Sequence, residues 1–253
     1  MSFFVDKVDD GYGGFLYNPT TAGFTALVII MVVLFLLGCF IFGSNKKNFD
    51  ARKLAFSAVA IGLAFGLSFV KVLKMPFGGT VTLFSMLFVT LVGYWYGIGA
   101  GLAAATAYGI LQLVQDPYII SLPQMLVDYI FAFAALGLSG IFSRTKKFSL
   151  DLILHTGKKD YKLTIPSIVP AYLIAVIGRY FFAFISGWIF FGMYMPDFFT
   201  SAVVYSLTYN ILYLGLEALI TVIVLCIPPV YKGIGIVSNW ANPEKPKEKA
   251  ETK

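Results

Sequence analysis

The chain has 253 residues, of which 58% are hydrophobic and 13% are charged, and its formal net charge is +6. A soluble globular domain carries about 25% charged residues, so this chain has too few charges to cover a water-facing surface. These values exclude an intrinsically disordered protein, a coiled coil and a soluble Rossmann enzyme, and they predict an all-α integral membrane protein.

Seven apolar runs are predicted to cross a bilayer as helices, for which about 20 residues are typical. They cover residues 23–42, 54–73, 81–95, 98–114, 122–142, 165–190 and 201–228. The third and fourth runs are shorter, and only glycines and a shift in pattern mark the break between them at GYWYGIGAG. The predicted organisation has three parts: an N-terminal outer segment with an extra transmembrane helix (1–48), a core of six helices (49–232) and a charged, disordered cytoplasmic tail (233–253).

The basic residues are unequally divided between the two sides of the membrane that seven spans imply. One side holds 15 of the 19 Lys and Arg residues, the other side holds Lys7, Lys71 and Lys74, and Arg179 lies inside a span. Because cytoplasmic loops carry an excess of Lys and Arg, the N-terminus is predicted outside and the C-terminus in the cytoplasm. The expected location is a bacterial cell membrane.

Three ionisable residues fall inside predicted spans: Asp128, Arg179 and Glu217. Charges at that depth are costly, and they mark either a functional site or a structural ion pair. Arg179 and Glu217 are interpreted equally well as an ion pair between helices. Asp128 has no cation in its own helix, and Gln124 lies one turn before it on the same face, so a ligand is one candidate partner.

The last span carries Asn210, Tyr213 and Glu217 on one helical face, with Tyr205 and Tyr209 on an adjacent face. For any single tyrosine, packing or a place in the interfacial aromatic belt is the commoner role. In the second span, Ala60 and Ala64 have the small-xxx-small spacing that lets helices approach closely. That spacing indicates either packing within the chain or docking to a partner membrane protein.

Sequence motifs for catalysis, for metal binding and for nucleotide binding are absent, and the single histidine, His155, lies in a basic loop. We therefore expect no enzyme activity, no catalytic residue, no metal and no cofactor. ATP-driven transport by this chain alone is also not expected, and nothing indicates a nucleic-acid partner.

Several segments in the expected order, among them PFGGTVTLFSMLFVTLVGYWYGIGAGL, LPQMLVDYIFAFAALGLSGIF, RYFFAFISGWIFF and YSLTYN, resemble the thiamine-specific S-component of energy-coupling factor (ECF) transporters. The resemblance covers residues 53–232. It implies a six-helix membrane protein that binds a vitamin near its outer face. It also implies partners in the membrane, namely a transmembrane coupling protein and two ATPase subunits, with Ala60 and Ala64 as the candidate docking face.

The resemblance implies a substrate site built from one carboxylate and several aromatic side chains. Its predicted members are Asp128, Tyr129, Tyr118, Tyr205, Asn210, Phe191, Trp188 and Gln124. A carboxylate suits the cationic thiazolium ring of thiamine, an asparagine suits the edge of its aminopyrimidine, and aromatic faces stack on flat cationic rings.

The chain departs from the family pattern: Asp128 replaces the more usual glutamate, Ala183 a histidine and Phe191 a tryptophan, and a tryptophan of the first outer loop has no counterpart in KMPFGGTVT. The ligand is therefore expected to be thiamine, its pyrimidine precursor or another small heterocycle. The predicted function is that of the substrate-binding subunit of an ECF-type importer. The alternative is a stand-alone transporter coupled to protons through Asp128 or Glu217.

Overall fold

The computed structural model describes residues 3–9, 15–23, 25–26, 29, 50–143, 150–156 and 159–243. Its helices are α1 (Ala51–Ser68), α2 (Ser85–Tyr96), α3 (Ile98–Gln115), α4 (Leu122–Phe142), α5 (Ile168–Phe190), α6 (Ala202–Leu225) and α7 (Pro228–Ala241). Three antiparallel hairpins pair β1 (Val5–Asp9) with β2 (Phe15–Pro19), β3 (Lys71–Lys74) with β4 (Thr80–Thr82), and β5 (Leu150–Thr156) with β6 (Lys159–Ile165).

Five of these helices, α1, α3, α4, α5 and α6, are long and apolar enough to cross a membrane, and α2 is a shorter apolar helix. The predicted all-α membrane protein is therefore confirmed. The predicted extra N-terminal span, residues 23–42, falls outside the described residues apart from isolated positions at its start.

The region between the second and third predicted spans differs from the prediction. Helix α1 ends at Ser68, and the chain then forms the β3–β4 hairpin before α2 begins at Ser85. The tip is a 3-10 turn, Pro76–Gly78, in which Gly78 has a φ of 91° that favours glycine. The hairpin strands also contain apolar residues, namely Val72, Leu73 and Val81. Hydropathy alone therefore does not mark where α1 ends and α2 begins.

The C-terminal boundary also needs correction. The predicted tail began at residue 233, whereas α7 continues to Ala241. Two prolines at its start separate it from α6, because a proline fits the first turn of a helix but not its interior. Trp95 donates to the Ser238 hydroxyl at 2.8 Å, which attaches α7 to the end of α2.

Helix α4 lies centrally and packs against α2, α3 and α5. Its glycines permit this: a Cβ at Gly137 would overlap the backbone of Gly101 and Leu102 on α3. Small residues therefore bring backbones together where lipid offers no hydrophobic driving force for helix association.

Ala60 and Ala64 belong to this close packing. They are 2% and 0% exposed, and with Ser68 they form the buried face of α1, which packs against α2. The prediction that these two alanines dock a partner is wrong, because the chain itself covers them. The opposite face of α1 exposes Ala58, Gly62 and Gly66.

Candidate functional site

A cavity of about 160 Å³ opens where three connections meet: the β3–β4 hairpin, the α3–α4 loop and the loop between α5 and α6. We call this end of the bundle the hairpin end. Seven of the eight predicted substrate-site residues line the cavity: Tyr118, Gln124, Asp128, Tyr129, Phe191, Tyr205 and Asn210. Residues from four separate parts of the sequence thus meet around one space.

Asp128 and Tyr129 lie in a widened, π-helical segment of α4, Leu126–Phe131. Such a segment changes the direction of side chains within a helix and is frequent at functional sites. The Asp128 carboxylate accepts a hydrogen bond from the Gln124 amide at 2.7 Å. Asp128 is partly exposed to the cavity, so it offers a negative charge to a ligand there.

Gln124 and Tyr129 also hold the α3–α4 loop. Gln124, only 1% exposed, donates to the Tyr118 carbonyl at 3.1 Å and accepts from the Ile120 amide at 3.1 Å. The Tyr129 hydroxyl donates to the Asp116 carbonyl at 2.9 Å and accepts from the Tyr118 amide at 2.8 Å. Both residues therefore fix the position of Tyr118.

Tyr118 lies between α5 and the hairpin. Its ring stacks on Phe191 with centroids 5.8 Å apart and an interplanar angle of 26°. On the hairpin side, a Cβ placed on Gly78 would lie 3.5 Å from the ring. Tyr118 and Phe191 form an aromatic wall at the cavity mouth, and Gly78 lies against the Tyr118 ring.

Trp188 does not line the cavity, which contradicts its predicted role as a stacking residue. It is 48% exposed and stacks on Phe184 at 6.0 Å. The reason is helical geometry: Gly187 faces α6, and the next residue is turned by about 100° around the helix axis.

Asn210 is 4% exposed and already hydrogen-bonded within the chain. Its amide nitrogen donates to the carbonyls of Ser206 at 2.9 Å and Ala183 at 3.2 Å, and its oxygen accepts from Tyr213 at 3.0 Å. These bonds join α6 to α5. They leave one acceptor position on the Asn210 oxygen for a ligand.

Glu217 and Arg179 do not form the ion pair that the sequence suggested. The carboxylate of Glu217 binds Thr82, Ser85 and Met86 instead. The one ion pair among the described residues joins Lys71 of β3 to Asp116. Arg179 lines the cavity and lies 4.1 Å from the centroid of the Phe133 ring.

The loop after the second predicted span was expected to help build the pocket, but sequence reasoning missed its contact with Tyr209. Tyr209 on α6 accepts a hydrogen bond from the Gly79 amide at 2.9 Å and donates to the Pro76 carbonyl. The available signal was the Gly78–Gly79 pair after a proline, which is typical of a tight turn.

The fold and the site define a multi-pass helical membrane protein with a cavity built from loops and helix ends at the hairpin end of its bundle. The chain belongs to the thiamine transporter protein family, whose model matches residues 54–234, and it is a member of a transporter family and not an enzyme.

Two similar proteins support this family assignment. The chain is 38% identical over 157 residues to thiamine transporter ThiT of Bacillus subtilis (strain 168), which covers 61% of this chain and 77% of that protein. The fold is similar to that of ThiT from Listeria monocytogenes, with a TM-score of 0.56 at 22% identity, covering 76% of this chain and 97% of the other.

Proposed function

We propose that the chain binds thiamine in the cavity at the hairpin end and is the substrate-binding subunit of an ECF-type importer. The proposal rests on one observation: the Asp128 carboxylate and the aromatic residues Tyr118, Phe191 and Tyr205 line the same cavity. A cationic thiazolium ring matches a carboxylate beside aromatic faces. Membership of the thiamine transporter protein family supports the same ligand.

The proposed orientation places the hairpin end outside the cell and α7 on the cytoplasmic side. The asymmetry of Lys and Arg in the sequence supports it. In this orientation the cavity receives its ligand from outside, and a coupling protein and two ATPase subunits supply the transport energy.

The proposed contact with the coupling protein uses the exposed face of α1. Ala58, Gly62 and Gly66 are exposed there, and a Cβ on either glycine would meet no atom within 4 Å. A partner helix in the membrane approaches most closely where residues are small. Gly62→Leu should retain thiamine binding and lose ATP-driven uptake, whereas equal uptake by this variant and the wild type would contradict the assignment.

The first experiment is titration calorimetry of the detergent-purified protein with thiamine. Asp128→Asn removes the charge and keeps the shape, and we expect it to weaken binding about tenfold to hundredfold. Trp188→Phe is the matched control, because Trp188 lies outside the cavity lining. Absence of wild-type binding, or unchanged binding by Asp128→Asn, would contradict the ligand assignment.

A second experiment separates the importer subunit from the stand-alone transporter. The protein is reconstituted in liposomes with and without the coupling protein and ATPases, and thiamine uptake is measured with ATP inside or with a pH gradient. We expect uptake only in the ATP arm with all partners present. Uptake by the chain alone under a pH gradient would favour the proton-coupled alternative.

A further inference from the structure

Arg179 is a cationic residue of the cavity lining that lies well inside a helix. In the described part of the chain, no carboxylate forms an ion pair with it. It lies near the middle of α5, is partly exposed and lines the cavity. Its guanidinium lies over the Phe133 ring, 4.1 Å from the centroid. The carboxylates of Asp128 and Glu217 lie within electrostatic range of Arg179, but they accept their hydrogen bonds from other groups.

Within the described residues, the N–H groups of Arg179 have no hydrogen-bond acceptor, and the Phe133 contact does not supply one. A cation–π contact satisfies the charge through the ring face but accepts none of the five N–H groups of a guanidinium. Donors within a membrane are costly unless they are hydrogen-bonded, so this arrangement calls for an acceptor in the cavity. One turn further along the helix, Ala183 also lines the cavity and presents only a methyl group.

The charges in the cavity are arranged to distinguish the two ends of a ligand. Asp128 attracts a cationic group, whereas Arg179 repels it and favours a neutral or negative group with hydrogen-bond acceptors. Tyr108 and Tyr213 also line the cavity within electrostatic range of Arg179, and their hydroxyls are uncharged. Asp128 and Glu217 offset the charge of Arg179 in part, but in the described part of the chain none of these groups accepts a hydrogen bond from its guanidinium.

We infer that the cavity binds its ligand in one orientation, with the cationic ring beside Asp128 and the acceptor-bearing heterocycle hydrogen-bonded to Arg179. Arg179 is therefore a specificity-determining residue for the uncharged half of the ligand. This inference rests on the proposed function. For thiamine, the uncharged half is the aminopyrimidine, whose ring nitrogens are acceptors.

The test uses the two halves of thiamine as separate probes. The neutral probe is 4-amino-5-hydroxymethyl-2-methylpyrimidine, and the cationic probe is the N-methylated hydroxyethylthiazolium. Each probe and thiamine are titrated into the wild type, Arg179→Met and Asp128→Asn. Methionine retains much of the apolar stem but carries neither charge nor donor.

We expect Arg179→Met to weaken the pyrimidine probe about tenfold and to leave the thiazolium probe unchanged or tighter. Asp128→Asn should weaken the thiazolium probe and leave the pyrimidine probe nearly unchanged. Equal weakening of both probes in Arg179→Met, or no weakening of either, would overturn the inference and make Arg179 structural. A wild type that binds no thiamine would instead contradict the proposed function, so the two failures are distinguishable.

Arg179→Lys covers the case in which the methionine variant does not fold. Lysine retains the cation over Phe133 but loses the planar fork of donors. We expect it to weaken the pyrimidine probe relative to the thiazolium probe, with a thermal midpoint near that of the wild type. An unchanged ratio of the two affinities in a folded lysine variant would overturn the inference.

Discussion

Glu217 on α6 holds Thr82, the last residue of β4, through two hydrogen bonds to one carboxylate oxygen. That oxygen accepts from the Thr82 amide at 3.0 Å and from its hydroxyl at 2.9 Å. The other oxygen accepts from the Met86 amide at 3.4 Å, in the first turn of α2. Since a helix N-terminus has unsatisfied N–H groups and partial positive charge, Glu217 acts as a cap supplied by another helix.

Replacing this cap should destabilise the fold. Glu217→Gln keeps the size but places an NH₂ group against N–H donors at a position that is 2% exposed. We expect a loss of about 1.5–3 kcal/mol, measured as a lower thermal midpoint in detergent. Ser85→Ala is the control: it removes the 3.5 Å contact with Glu217 and the 2.6 Å hydrogen bond between the Ser85 and Thr82 hydroxyls, keeps the carboxylate, and should cost less. Equal midpoints for Glu217→Gln and the wild type would contradict the capping role.

The Lys71–Asp116 ion pair should contribute much less to stability. Its side chains are 18% and 63% exposed, so water and salt screen the pair. We expect Lys71→Met and Asp116→Asn each to lower the unfolding free energy by less than about 1 kcal/mol. Thermal melts at low and high salt provide the measurement. A larger loss that disappears at high salt would show that the pair is more strongly coupled than its exposure implies.

Gly137 and Gly62 form a matched pair of helical glycines for testing the core. Gly137→Ala places a methyl group against the backbone of α3, whereas Gly62→Ala meets no atom within 4 Å. We expect Gly137→Ala to destabilise by about 1–3 kcal/mol or more, because backbone cannot move aside as a flexible side chain can.

Gly62→Ala should be neutral or stabilising by up to about 1 kcal/mol, since alanine has the higher helix propensity. Thermal midpoints of both variants in one detergent make the comparison. The reverse order of stability would argue against the observed packing of α4 on α3.

Phe191 and Trp188 provide a matched aromatic pair for the ligand site. Phe191 lines the cavity and stacks on Tyr118, whereas Trp188 lies outside the lining. We expect Phe191→Ala to weaken thiamine binding about tenfold and Trp188→Ala to change it less than about twofold. Calorimetric titration of both variants with thiamine provides the measurement. A larger loss in the Trp188 variant would place the stacking residue on the other face of α5.

The membrane class and most helices followed from the sequence because apolar length is a local property that a bilayer makes decisive. The spans predicted at 98–114 and 122–142 match α3 and α4 within a residue. The limits of α1 and α2 were missed because the β3–β4 hairpin is itself apolar, so hydropathy gives no boundary there. The boundary between α6 and α7 depended on two prolines inside an apolar run.

The members of the candidate site were predicted mainly from the resemblance to the S-component family, with support from residue chemistry. An aspartate within a predicted span and tyrosines at helical spacing are visible in the sequence, and the structure places seven of the eight predicted residues around one cavity. The sequence could not show which face of α5 meets the cavity, so it proposed Trp188 with Phe191. Nor could it show that α2 covers Ala60 and Ala64.

The sequence by itself therefore determined the class of protein, the order of its main helices and the kinds of side chain at the site. Only the tertiary structure decided the partners of the intramembrane charges: Glu217 caps α2, and Arg179 faces Phe133 and the cavity. The physical reason is that burial cost depends on a residue's own type, whereas a hydrogen-bond partner depends on the packing of helices distant in sequence.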